Sequence, residues 1–260
     1  MLLSVVMPAR NEEGSLAATV HDLTTTLDAD GIPFELIVVD DGSTDETADI
    51  AQSLGRADPR VRYVRNGPPH GFGRAVRAGL DAFTGDAVVV MMSDGSDSPR
   101  DVVRYYRVLR DDADCAFGSR FLSQSQLVNY PLVKLLLNRI ANTGIAILFG
   151  LRYDDVTNAF KGYRRFVVDG CRPLVSPHFN FTVELPLKAI TRGFSYRVLP
   201  ISWTDRSEGT SHFRIKEMGS RYIHIVLSIF LEFLLTREDV SYPHSRIAQD
   251  RRAWRERAGI

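Results

Sequence analysis

The amino-acid sequence predicts an α/β fold, a mostly parallel sheet with helices on both faces. Three observations lead there. Short runs of β-branched and other apolar residues alternate with longer amphipathic stretches. The runs are predominantly apolar rather than strictly alternating, as in strands buried on both faces. Each run ends in a polar, acidic or glycine-rich segment, and ligands bind beyond the carboxyl ends of strands in such sheets.

The elements follow in chain order. Leu3–Met7 reads as a strand and Gly14–Leu27 as a helix, followed by a strand at Phe34–Val39. A helix is expected over Thr44–Leu54, because Ser43-Thr44-Asp45-Glu46 has the spacing of a capping box. Val61–Val64 is the third strand, Arg74–Phe83 a helix, and Ala87–Met92 the fourth strand. Pro99–Leu109 is the next helix, with Ser98 before a proline at the first helical position. Cys115–Phe117 is the fifth strand.

Past residue 122 the rhythm changes. Lys134, Asn138 and Asn142 recur at four-residue intervals on an otherwise apolar helix at 131–149. Ser220, His224, Ser228 and Glu232 do the same in a second helix. Each is a narrow polar stripe on a wide apolar surface, which fits either packing on the sheet or lying in a membrane interface. At 1.5 Å per residue Tyr222–Leu235 would be about 21 Å long, against about 30 Å of hydrocarbon, so it could rest on a bilayer without crossing it. The expected organisation is a catalytic domain over 1–215, an amphipathic helix at 216–236 and a charged, solvated tail at 237–260.

Composition narrows the class. The 260 residues are 44% hydrophobic and 25% charged, enough for a sizeable core. Acidic and basic residues balance at 32 each, which argues against a nucleic-acid partner. Two cysteines, Cys115 and Cys171, outside any C-x-x-C spacing, suit a reducing cytoplasm. No secretory signal is visible at the start. The glycines of GFGRAVRAG lack dinucleotide spacing, and no G-x-x-x-x-G-K-[ST] phosphate loop occurs.

Five successive strand ends then carry the chemistry: PARNEE, DDGSTD, GPPHGFGRA, SDGSD and GSRF. Singly, each is a turn with a helix cap. Together they suit a divalent cation bridging a diphosphate, with Asp41 and Glu12 hydrogen-bonding a base and ribose. A nucleotide-sugar enzyme needs that arrangement, because the cation stabilises the leaving nucleoside diphosphate.

VVMPARNEE, IVVDDGSTDET, GFGRAVRAGL, SDGSDSP and GSRF resemble, in order, the motifs of family-2 inverting glycosyltransferases of GT-A fold. YPLVKLLLNRIAN, DVTNAFKGYRR and PISWTDRSEGTS resemble the dolichyl- or polyprenyl-phosphate mannosyltransferase branch. The resemblance spans roughly residues 3–216. It implies a Rossmann-like sheet with amphipathic interface helices near the C-terminus. It implies transfer of a hexose, mannose favoured, from a nucleoside-diphosphate sugar, GDP-mannose first, to a polyprenyl phosphate. Mg²⁺ or Mn²⁺ would be the cofactor, and the protein would sit peripherally at the cytoplasmic membrane face.

Position by position, the resemblance implies that Pro8, Ala9, Arg10, Glu12, Val39, Asp41 and Ser93 line the nucleotide-sugar pocket. Asp94 and Ser96 would hold the metal. Arg120 and Arg206 would meet donor or acceptor phosphates, Lys134 and Asn138 the lipid phosphate. Glu184 matches an acidic position, either a base for an alcohol acceptor or a partner for a nearby arginine. The chain departs from the pattern at Met92, where the family has its first metal-binding aspartate, at Arg10 for an aromatic, at Asn138 for serine and at His212 for lysine. Two alternatives stay open: the same donor chemistry with a hydroxyl acceptor, and a non-catalytic sugar-nucleotide-binding subunit.

Overall fold

The computed structural model describes residues 1–128, 130, 132–204, 215–235 and 244–260. The first half alternates as the periodicity requires: β1 (Leu3–Ala9), α1 (Leu16–Ala29), β2 (Phe34–Asp40), α2 (Thr47–Ala57), β3 (Val61–Arg65), α3 (Phe72–Ala82), β4 (Ala87–Val90), α4 (Pro99–Asp111) and β5 (Cys115–Ser119). There follow β6 (Gln126–Val128), α5 (Leu132–Phe149), β7 (Lys161–Arg164), α6 (Arg165–Gly170) and α7 (Phe181–Thr191). The chain continues through β8 (Tyr196–Pro200), β9 (Ser202–Thr204), α8 (Ile215–Leu235) and α9 (His244–Ala258).

The main sheet runs β3-β2-β1-β4-β7-β5-β8. β7 is antiparallel to both neighbours, and the remaining pairs are parallel. Side chains alternate between two cores. Leu3, Val5 and Met7 of β1 join Leu36, Val38, Ala87 and Val89 beneath α1, α2 and α4. Val6 joins Ile37, Val39, Val88, Val90 and Phe117 on the opposite face, with α3 and α7. Continuous apolar strands are therefore buried on both sides, which is why they read without alternation.

Two expectations change here. The helix expected from Thr44 begins at Thr47, with no cap from Glu46, because Ser43 and Thr44 bond to a neighbouring loop; Asp45 serves both, accepting from Glu13 N–H and from Thr47 N–H at 3.0 Å. The tail expected to be solvated forms α9 and packs on the chain. Its Trp254 is fully buried and donates its indole N–H to Asp86 O at 2.8 Å. Arg251 pairs with the buried Asp114, and the Met1 ammonium donates to Ala258 O. Its composition is strongly polar, so a few buried side chains, Ile247, Trp254 and Ala258, hold it together with these polar contacts.

Candidate active site

The loops after β1, β2, β3 and β4 meet at the carboxyl edge of the sheet through direct hydrogen bonds. Asp41 donates its N–H to Ala9 O at 2.9 Å. Ser93 Oγ donates to Pro8 O at 2.9 Å, and Ser15 Oγ and Thr19 Oγ1 donate to Ser93 O at 3.0 and 3.2 Å. Glu12 N–H reaches Thr47 Oγ1 at 2.8 Å, while its carboxylate accepts from Ser15 Oγ. The residues of the expected capping box complete the stitching. Ser43 Oγ accepts from Asn11 N–H, Asn11 Oδ1 accepts from Thr44 N–H, and Glu13 Oε2 accepts from Glu46 N–H. Side chains on each loop thus satisfy backbone donors of the other, so the two loops are tied together by their own hydrogen bonds.

Asp41 is 4% exposed, and its carboxylate accepts from Asn66 Nδ2 at 2.7 Å and Gly71 N–H at 2.8 Å. It ties the third loop to the second. His70 lies beside it, with Nδ1 at 3.4 Å from Asp41 Oδ1. Gly71 is required where it stands: a Cβ there would lie 2.4 Å from Pro177 O. The glycines of this loop serve the approach of the 176–178 backbone. Among the expected pocket residues Pro8, Ala9 and Ser93 are buried at the edge and Arg10 is exposed. Val39 is a correction: it is fully buried in the core under α3 and paired in the sheet between β1 and β3, and presents no surface to the pocket.

The acidic loop turns on Gly95 at φ 72°. Strand β4 ends at Val90 rather than Met92, so Met91 is the buried methionine and Met92 is partly exposed. Met92 N–H donates to Asp97 Oδ2 at 3.0 Å, and Ser96 N–H donates to Asp94 Oδ1 at 3.1 Å. Ser96, expected in the metal shell, is buried and orients Asp94 through its amide. Asp97 is 4% exposed. Burial pushes its carboxyl up to about 7, against the help of the Met92 N–H, and the charge of Asp94 adds to the rise.

These residues limit how a cation can bind. Among the described residues no three His, Cys, Asp or Glu side chains converge as a metal cage. Mg²⁺ usually binds through one or two carboxylates together with substrate phosphates and water. The donor set fits a cation shared with a diphosphate through Asp94, and does not fit a cage built by protein alone.

Beyond the acidic loop a polar cluster adjoins α5. Arg120 is 8% exposed and forks onto the fully buried Asp155, Nε and Nη2 at 2.8 and 2.7 Å. Burial acts against its charge, and Asp155 more than offsets this. Arg120 was expected to meet a phosphate directly; its fork is committed to Asp155, and Nη1 turns to Tyr130 Oη at 3.3 Å. Asn138 Nδ2 donates to the same tyrosine oxygen. Asn142 is 1% exposed, donating to Thr157 Oγ1 at 2.9 Å and accepting from Thr157 N–H at 3.0 Å. Lys134 stands one turn before Asn138 in α5, and its side chain lies outside the described residues, as do Arg206 and His212.

Helix α5 consequently turns asparagines as well as Ile145 inward and an apolar row outward. Its asparagines face the protein, while Leu132, Leu136, Ile140 and Ile147 are exposed. Helix α8 packs beside it, with Phe149 edge-on to Phe230, and exposes Ile223, Leu227, Leu231 and Leu234. Among the described residues no helix is long and apolar enough to cross a membrane.

Glu184 is a second correction. It is fully buried, accepts Val175 and Ser176 N–H at 2.8 Å each, and pairs with Lys188 at 3.0 Å. It holds the loop before α7 and presents no open oxygen to a substrate. Sequence reasoning missed Asp155 and Tyr130. The signal was present in the adjacent acids of RYDDVTNAF, but the partner of Asp155 lies 35 residues upstream.

Comparison with known proteins accords with this geometry. Residues 4–171 match the model of glycosyl transferase family 2. Over 236 residues the chain is 32% identical to polyprenol monophosphomannose synthase of Mycolicibacterium smegmatis, covering 84% of this chain and 86% of that one. It is 31% identical to glycosyltransferase AglD of Haloferax volcanii, covering 79% of this chain and 34% of that protein. Glucosyl-3-phosphoglycerate synthase of Mycobacterium tuberculosis, solved with UDP, superposes with a TM-score of 0.66 at 22% identity, over 88% of this chain and 79% of that one. The same enzyme has been solved with Mn²⁺, UDP and phosphoglyceric acid, again with a TM-score of 0.66 at 22% identity, over 88% and 78% of the two chains. At that identity the likeness carries the GT-A fold.

Proposed function

The chain belongs to glycosyl transferase family 2, and from that premise we propose that it transfers a hexose, with inversion, from a nucleoside-diphosphate sugar to a polyprenyl phosphate. Mannose is the sugar and GDP-mannose the donor we favour. The site of action is a membrane face at which the protein sits peripherally. The kinship with a polyprenol monophosphomannose synthase supports the acceptor.

One observation carries the reading. The donor edge ends at a polar cluster, Arg120, Tyr130 and Asn138, at the foot of a helix whose outer surface is leucine and isoleucine. A helix on a soluble protein turns its apolar stripe inward. Here a lipid's phosphate would meet the cluster while its chain ran along the apolar face.

The chemistry suits these residues. A prenyl monophosphate has a second pKa near ~6 and is largely ionised at neutral pH. Its oxygen attacks the anomeric carbon, the bond from that carbon to the diphosphate oxygen breaks, and nucleoside diphosphate leaves with the electron pair. Such a nucleophile needs positioning and charge neutralisation rather than a general base. An alcohol acceptor would need a base, and Glu184 is spent on Lys188 and two backbone amides. Glu12, Ser93 and the loop held by Asp41 would seat the nucleoside. A divalent cation, held by Asp94, would neutralise charge on the diphosphate.

The test is a donor screen with purified protein, GDP- and UDP-sugars, Mg²⁺ or Mn²⁺, and polyprenyl phosphate, reading nucleoside diphosphate release. Release that depends on the lipid phosphate and is fastest with GDP-mannose is expected. Release indifferent to the lipid would remove the acceptor assignment, and no release with any donor would remove the whole reading.

A further inference from the structure

A second concavity is lined by none of the residues assigned above. It is a cleft of about 780 Å³ between the first turn of α3, the 175–180 loop and the N-terminal part of α8. Its described polar lining includes Arg74, His178, Arg221 and His224, and no carboxylate. Val175 and Ile225 supply apolar wall.

Arg74 is the informative member. Its Nε is buried and has no hydrogen-bond acceptor. A buried donor on a charged group is costly to leave unmade, and most such groups are paired. Pro177 O, in the loop that faces it, accepts the Arg74 backbone N–H at 3.3 Å, not the guanidinium. Arg74 also sits in the first turn of a helix, where the peptide dipoles add positive potential. The cleft therefore offers guanidinium, imidazole and helix-end charge to an anion.

Its position indicates which anion. Arg221 and His224, one turn apart, line the cleft from the same helix whose Ile223, 62% exposed, begins an apolar row continued by Leu227 and Leu231. We propose that the cleft binds the phosphate of an anionic phospholipid headgroup, one without the ammonium that Arg74 and Arg221 would repel in phosphatidylcholine, while that row of α8 lies at the acyl boundary. Arginine suits phosphate because its planar fork donates two parallel hydrogen bonds. The inference rests on the membrane docking proposed above and adds to it a headgroup site separate from the acceptor cluster. Its consequence is a preference for anionic bilayers independent of polyprenyl phosphate.

The experiment compares sedimentation of the full chain with phosphatidylcholine vesicles and with vesicles also containing phosphatidylglycerol, neither carrying polyprenyl phosphate. Wild type should bind the anionic vesicles more tightly. R74Q should lose roughly tenfold on anionic vesicles and nothing on neutral ones, the range of one charged hydrogen bond. R74K should keep part of the gain, and R252Q, an exposed change on α9, all of it. Since Arg74 Nε makes no hydrogen bond in the fold and R74Q keeps the backbone N–H that Gly71 O and Pro177 O accept, R74Q should melt like wild type.

R74Q binding anionic vesicles as wild type does would overturn the proposal. So would calorimetric binding of inorganic phosphate that needs Arg74 but brings no vesicle preference, which would mark a free-anion site. Equal binding of wild type to both vesicles overturns the headgroup site alone. Binding to neither overturns the membrane premise as well.

Discussion

Replacing Leu136, Ile140 and Ile147 together by glutamine should detach the protein from lipid while leaving it folded. The three are 61%, 61% and 77% exposed and lie on one face of α5. Fully burying such a side chain contributes about 1.5–3 kcal/mol. With roughly two thirds of each exposed, inserting the three into a bilayer contributes about 1–2 kcal/mol apiece, or about 3–6 kcal/mol together. Vesicle affinity should then fall roughly 10²- to 10⁴-fold. Glutamine matches leucine closely in helix propensity, and exposed substitutions usually change stability by no more than about 0.5 kcal/mol each. Vesicle sedimentation and urea unfolding on the same preparation measure both sides. For turnover, the KM for a long-chain polyprenyl phosphate should rise far more than kcat falls. Unchanged vesicle affinity would refute the argument. A fall in unfolding free energy beyond about 1 kcal/mol per substitution would do so too, by showing that these side chains pack in the fold.

Other outcomes follow from the same geometry. Asp155→Ala leaves Arg120 charged and buried without its partner and should cost about 3–5 kcal/mol in denaturant unfolding; a loss below about 1 kcal/mol would mean that Arg120 is paired elsewhere. Asp94→Asn should reduce nucleoside diphosphate release at least roughly tenfold at saturating Mg²⁺ with little change in unfolding midpoint, and undiminished release would remove Asp94 from the cation site. Asp97 has a folded pKa of about 7, above the unfolded carboxyl near ~3.9, so the folded state favours its protonated form. Its contribution is therefore most stabilising below about pH 4 and is lost as pH rises to about 7. Thermal melts of Asp97→Asn should show a shallower decline over that window than wild type, and an identical slope would contradict the burial argument.

The sequence alone determined the strands, because apolar runs such as LSVVM and AVVV can be sheltered only between two helical layers. It also determined that the acidic loop follows β4, and that the chain carries the ordered motifs of its family. Tertiary structure decided what single segments left open. Ser43, Thr44 and Glu46 could cap their own helix or bond to Asn11 and Glu13, and the neighbouring loop won, while Asp45 serves both Glu13 and Thr47. Val39 and Glu184 occupy motif positions, yet one fills the core and the other holds a backbone turn. Arg120 and Asp155 are mutual partners only because β5 and the 151–158 loop are folded together.

The plainest case is α5. Its period marks a polar stripe and an apolar one but does not say which points inward. Orientation depends on what lies opposite, and Thr157 and Tyr130 supply hydrogen bonds that turn Asn138 and Asn142 toward the protein. In the same way the arginine-rich α9 gives a polar signal along its length, and docks because Asp114 and Asp86 O await it across the sheet. A sequence encodes each side chain's chemistry. The partner that makes that chemistry structural or functional is brought close only by the fold.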